Sequence, residues 1–281
     1  MSKRFRFFSV FVFIAGIVAV SSAYYFKKSQ PLPDTFMHQG KPVDAMCVYK
    51  IMGSGTNDRT TRLDDCLLPE TMISSDNRWA PDDQGFFGYE YNAEEAGLMG
   101  VPYTSYKPVG KLLNGDFVIF NQESGGGTGI FDTIAVVRLT NHTLSLKKVL
   151  TGGDRCNGGV FAVKAEGDDV FYSVFMTPAD IVNVISGKEI IVPYDDLESS
   201  AASCYAAANY KNDELVGMTL LTDILDQNAQ SDEEWVSQYR HQKCFNQYMG
   251  DYVAARKPLD MDMTLAREFV RGFDVTCLEK K

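Results

Sequence analysis

Residues 116–176, DFVIFNQESGGGTGIFDTIAVVRLTNHTLSLKKVLTGGDRCNGGVFAVKAEGDDVFYSVFM, decide the fold. Five runs within them, DFVIF, IFDTIAVVRL, TLSLKKVL, GVFAVKA and DVFYSVFM, are β-branched, aromatic and of strand length. The intervening NQESGGGTG, TNH, TGGDRCNG and EGDD carry turn chemistry. Connections this short have no room for a crossover helix, so the strands are expected to pair antiparallel as a meander. In TLSLKKVL and GVFAVKA polar and apolar residues partly alternate, as a sheet with one wet face requires. No repeat of blade length accompanies them, which argues against a propeller and leaves a single sheet, a sandwich or an incomplete barrel.

Outward from this centre the patterns change. Residues 43 to about 110 are broken by Gly, Pro, Asn and Asp before any long element can develop. Trp79, Phe86, Phe87, Tyr89 and Tyr91 in that segment read as core beneath loops, with an aromatic binding surface as the alternative. Toward the C-terminus, Phe245, Tyr248, Met249 and Tyr252 follow i, i+3, i+4, i+7 spacing, with Trp235 and Tyr239 on an adjoining face. Ser231 and Glu234 form a capping-box pattern ahead of them. Leu265, Phe269 and Phe273 mark a second helix, separated from the first at Pro258. The alanines of 195–210, DDLESSAASCYAAANY, predict a further short helix. The expected class is α+β: a central antiparallel meander with C-terminal helices, preceded by one N-terminal transmembrane or signal helix.

That N-terminal helix rests on an uncharged, largely apolar run from Phe7 to Phe26 behind a basic start. Its 20 residues, at about 1.5 Å each, match a hydrocarbon core of roughly 30 Å, which favours an uncleaved anchor. Ser21-Ser22-Ala23 resembles a cleavage site, so secretion after cleavage near Ala23 is the alternative. Lys3, Arg4 and Arg6 precede the run and Lys27 and Lys28 follow it, a slight positive-inside bias. Residues 1–28 are thus read as a signal-anchor, 29–42 as a tether, and 43–281 as an exported domain. The expected location is a membrane, single-pass, with that domain periplasmic or extracellular.

Cysteines give an independent reading of the compartment. All six, Cys47, Cys66, Cys156, Cys204, Cys244 and Cys277, follow the apolar run, and none forms a C-x-x-C pair. An even count without metal-ligand spacing predicts disulfides in an oxidising compartment. Proximity pairs Cys47 with Cys66, Cys156 with Cys204, and Cys244 with Cys277. Charge points away from nucleic acid: beyond residue 28 there remain 22 basic and 37 acidic residues, a net −15, which repels phosphate backbones.

Catalytic signatures are sparse. SGGGTG at 124–129 lacks the Gly-Lys-Ser/Thr of a nucleotide loop and precedes a strand, so it reads as a hairpin connection. His38, His142 and His241 are the only histidines. No H-E-x-x-H or paired C-x-x-C element accompanies them, so no metal or cofactor is expected. There is no G-x-S-x-G elbow. The pairs Asp64-Asp65, Asp82-Asp83, Asp168-Asp169 and Asp195-Asp196 read as solvated turns rather than calcium ligands or glycosidase carboxylates. In TGGDRCNGGV, residues 151–160, Cys156 reads as a structural disulfide at a glycine-rich corner, leaving Asp154, Arg155 and Asn157 as a polar ligand-binding edge. The function expected is a non-enzymatic binding or structural role in the cell envelope, toward a protein or small ligand. The alternative is an exported hydrolase using acidic residues or Cys156.

Overall fold

The computed structural model describes residues 36–52, 59–67, 73–76, 78–91, 102–187, 196–222 and 240–277. The apolar run 7–26, the Ser231/Glu234 capping pattern, Trp235 and Tyr239 lie outside them. Among the described residues no helix is long and apolar enough to cross a membrane.

The central stretch forms the expected meander. Strands β5 (Phe87–Tyr91), β6 (Tyr103–Lys111), β7 (Phe117–Ser124), β8 (Phe131–Leu139) and β9 (Thr143–Asp154) pair antiparallel in sequence order. β4 (Ile73–Asp76) joins beyond β5, and β3 (Thr60–Arg62) joins beyond β9, giving a seven-stranded, half-barrel sheet. A second meander of five strands continues the chain: β10 (Val160–Glu166), β11 (Asp169–Met176), β12 (Ala206–Lys211), β13 (Glu214–Leu220) and β14 (Asp260–Asp262). Along β11 burial alternates strictly, with Val170, Tyr172, Val174 and Met176 inward, the period of two that a half-buried strand imposes.

Among the described residues four helices accompany these sheets: α1 (Ala45–Met52), α2 (Pro178–Ser186), α3 (Arg240–Ala254) and α4 (Met263–Cys277). α2 starts at Thr177, whose hydroxyl accepts from the Asp180 backbone N–H while the Asp180 carboxylate accepts from the Thr177 N–H. Gly187, at φ 66°, ends it in the left-handed conformation that glycine adopts without strain. α3 and α4 form the hairpin their spacing predicts, and Phe245, Met249, Phe269 and Phe273 are all buried.

The seven-stranded sheet has two unlike faces. Val118 and Ile134 point toward the five-stranded sheet and its helices, within one large apolar cluster that includes Met176, Met218, Phe245 and Phe273. Phe117, Ile119, Ala135 and Val137 point the other way, onto α1 through Cys47, Val48 and Ile51. Phe36 closes this second cluster, its ring edge-on to Tyr106 and Phe117. Within the stretch read as tether, residues 36–42 therefore belong to the fold. β1 (Met37–His38) and β2 (Lys41–Pro42) pair there around Gln39 and Gly40, both at positive φ, as a two-residue hairpin turn requires.

The cysteines pair as proximity suggested. Cys47–Cys66, Cys156–Cys204 and Cys244–Cys277 have Cα separations of 5.0, 4.7 and 5.8 Å, and none is left free. The helix predicted over 195–210 is not formed. Residues 206–211 are β12, hydrogen-bonded between β11 and β13 with Ala206, Ala207 and Ala208 buried, so nonlocal pairing overrides the helical preference of alanine. Phe86, Phe87 and Tyr89 are buried as core, whereas Trp79 is 40 % exposed and flanked by Lys41 and Arg78.

Candidate functional site

On β7, Phe117, Ile119, Asn121 and Glu123 share one face because successive side chains alternate. The first two are core; the last two carry polar groups into the same buried layer. Antiparallel register sets Tyr106 of β6 opposite Asn121, and Thr104 opposite Glu123. Tyr89 of β5 in turn lies opposite Thr104. The apolar floor under α1 thus runs into a strip of Tyr89, Thr104, Asn121 and Glu123.

Several of these groups are buried without hydrogen bonds. Thr104 and Asn121 are fully buried, yet among the described residues the Thr104 hydroxyl and Glu123 Oε2 have no hydrogen-bond partner, and the Asn121 amide has none beyond a loose approach to the Glu123 carboxylate. Each such group costs roughly 1–3 kcal/mol in lost hydration. Native folds keep only a few such groups, and here most of them gather on one strip. Burial raises the Glu123 pKa from its ordinary value, and bonding from the neighbouring Asn121 amide offsets this only in part.

Asp44 fixes the near end of the strip. Its Oδ1 accepts from the Tyr89 hydroxyl at 2.8 Å and from the Met46 N–H at 2.9 Å. Its Oδ2 faces the buried guanidinium of Arg78 at 3.9 Å and receives no hydrogen bond. Tyr106 donates its hydroxyl to the Val43 carbonyl, and burial, with the Asp44 charge adding to it, holds its pKa well above the usual phenol value. The strip therefore combines a charged pair, a carboxyl biased toward its neutral form, and unpaired amide and hydroxyl groups. Such a set offers both donors and acceptors within one buried layer.

At the glycine-rich corner, Asp154 and Asn157 exchange backbone hydrogen bonds around Arg155 and Cys156. The close backbone approach explains two of the glycines: a Cβ on Gly153 would meet the Asn157 carbonyl at 2.2 Å, and one on Gly159 the Arg155 carbonyl at 2.3 Å. Asp154 Oδ1 accepts from the Ile130 N–H and from Arg155 Nε, and its Oδ2 from Arg155 Nη2. The Arg155 hydrogen bond is the main cause lowering the Asp154 pKa. Arg155 and Asp154 thus largely satisfy one another at the position read as a binding edge. The Cys156 sulfur, bonded to Cys204, is not a thiolate nucleophile in this state.

Among the described residues Asp132 is the other carboxyl shifted upward, chiefly by burial, while its hydrogen bonds from Gln122 and the Val160 N–H oppose the shift. It lies opposite Gln122, on the face of the sheet away from Glu123. The two carboxyls are consequently separated by the sheet and do not form an acid–base pair. Members of the acidic pairs hold backbone in place: Asp82 accepts from the Gln84 and Phe86 N–H groups of its own turn, while Asp168 accepts from the distant Leu113 N–H and Asp196 from the His241 N–H in the first turn of α3; Asp195 lies outside the described residues.

Of the strip, Tyr89 alone was singled out from sequence, as core or aromatic surface; for the polar members one signal lies in NQES at 121–124. Asn121 and Glu123 continue the inward register of Phe117 and Ile119, so polar residues occupy core positions. No known protein family, curated protein or solved structure matches the chain.

Proposed function

We propose that this is an extracytoplasmic binding protein of the cell envelope, tethered by residues 1–28, which receives a small polar ligand at the strip of Thr104, Asn121 and Glu123. The observation that carries the binding role is the concentration of unpaired, buried polar atoms on one strip of the seven-stranded sheet. The pairing of all six cysteines supports an oxidising compartment, and the apolar run Phe7 to Phe26 supports a membrane tether. A ligand amide or hydroxyl would supply the missing bonds to Asn121 and Thr104, and a donor would bond Glu123. The acidic surface favours neutral or cationic ligands.

Native mass spectrometry of the full chain, extracted gently from membranes, tests the binding role. A co-purifying small molecule that is lost in Asn121→Leu is the expected result. An unliganded wild type, together with ordered waters bonding Asn121 and Thr104 in a crystal structure, would make the strip a hydrated structural element and overturn the reading. Alkaline extraction tests the tether. The intact chain should stay with the membrane, whereas release of a chain beginning after Ala23 would show it to be secreted.

A further inference from the structure

We propose that His38, Asp64 and His142 form a binding site for a first-row divalent metal ion, with zinc as the best match. Two imidazoles and a carboxylate, from three separate stretches of chain, bring their ligand atoms within 4.8 Å of one another. His38 Nε2 lies 3.4 Å from Asp64 Oδ1. That is long beside the 2.7–2.9 Å or so of a charge-assisted hydrogen bond. It is close to the edge of a tetrahedron around zinc, since bonds of about 2.0–2.1 Å place neighbouring ligands roughly 3.3–3.4 Å apart. The His142 ring lies across from His38, centroids 6.1 Å apart and planes at 80°. Its exposed position leaves it free to turn its nitrogen inward.

The backbones beneath these side chains are held from several sides. His38 sits in the β1–β2 hairpin, anchored on one flank by Phe36 in the core and on the other by the Val43 carbonyl bonded to Tyr106. Asp64 lies in a turn where the Leu63 N–H donates to the His142 carbonyl at 3.0 Å and the Asp65 N–H to Arg62 at 3.1 Å. The Cys47–Cys66 disulfide closes that turn two residues later. His142 occupies the tight turn between β8 and β9, where the Thr140 N–H donates to the Thr143 carbonyl. The Leu63–His142 bond locks two of the three ligand-bearing turns together. The fold has therefore already met much of the entropy cost of assembling the ligands.

The donor set also selects the ion. Two neutral imidazoles with one carboxylate suit zinc and its neighbours, whereas calcium and magnesium prefer shells of oxygen. Three protein ligands leave a fourth position to water or another ligand. A bound ion would cross-link the hairpin at the start of the fold to the β3–β9 edge of the large sheet.

Isothermal titration of zinc into the tag-free, oxidised full chain, stripped with chelator, tests the site. One saturable zinc per chain is expected, with calcium binding at least about a hundredfold more weakly. His38→Ala and His142→Ala should each weaken zinc at least about tenfold, as loss of a ligand should cost no less than loss of its supporting partner. His241→Ala, remote on α3, should leave affinity unchanged. Zinc should raise the melting temperature of the wild type and not that of His142→Ala. Asp64→Asn repeats the test with little change of shape should an alanine variant fold poorly. Absence of saturable zinc binding, or equal affinity in the wild type and both histidine variants, would overturn the proposal.

Discussion

The two faces of the seven-stranded sheet receive side chains from the same strands yet reach different solutions. Toward the five-stranded sheet, Val118 and Ile134 meet valines, methionines and the aromatic residues of α3 and α4 in a layer closed by apolar contacts. On the reverse, the layer under α1 begins as apolar core and ends in Thr104, Asn121 and Glu123, with polar atoms unpaired. The first face obtains stability from apolar burial; the second also buries polar atoms that lack partners among the described residues. The parity of the side chains along each strand separates the two environments.

Truncation on the closed face should have the largest effect. Phe245 is fully buried and packs edge-on against Tyr205 and Phe273, so Phe245→Ala should cost roughly 3–5 kcal/mol in denaturant unfolding. A loss below about 1 kcal/mol would mean that this face is not the tightly packed one. Next, replacing Cys156 and Cys204 together by serine should cost about 2–4 kcal/mol, because the link closes a long stretch between β9 and β12. Comparing melting with and without reductant checks the same link in the wild type.

The open face should respond in the opposite sense. Asn121→Leu replaces a buried amide, with only a loose approach to the Glu123 carboxylate, by an apolar group of similar size, so unfolding free energy should change by less than about 1 kcal/mol or increase. A loss above about 2 kcal/mol would place Asn121 in an essential hydrogen-bond network and remove the contrast. The smallest effect is expected from Glu123→Gln, read through pH. The folded pKa of Glu123 is raised, so the native state retains a proton that the unfolded chain releases, and stability falls as pH rises from about 4.3 through the raised value. Glu123→Gln should flatten that segment of the melting-temperature profile and leave the more acidic part unchanged.

How much of this was legible depended on the range of the interaction. The meander followed from strand-length runs separated by connections too short for helices, and the helical hairpin from the spacing of Phe245, Met249, Phe269 and Phe273. Cysteine pairing followed because successive cysteines pair along the chain. The alanine-rich stretch misled for the complementary reason: its helical preference is a local term, and β11 and β13 supplied a larger nonlocal one. Trp79 likewise offered no local sign that it would remain partly exposed between two cations.

Sequence by itself determined an antiparallel, disulfide-bonded α+β chain, because side-chain periodicity and turn composition act over a few residues and the cysteines pair in their order along the chain. Tertiary structure alone decided that Thr104 and Asn121 would be sealed without partners, that Glu123 and Asp132 would stand on opposite faces, and that His38 would meet Asp64 and His142. Those outcomes depend on the register between strands and on which turns meet at a sheet edge. Such distances are fixed by packing across the whole fold, and no local pattern contains them.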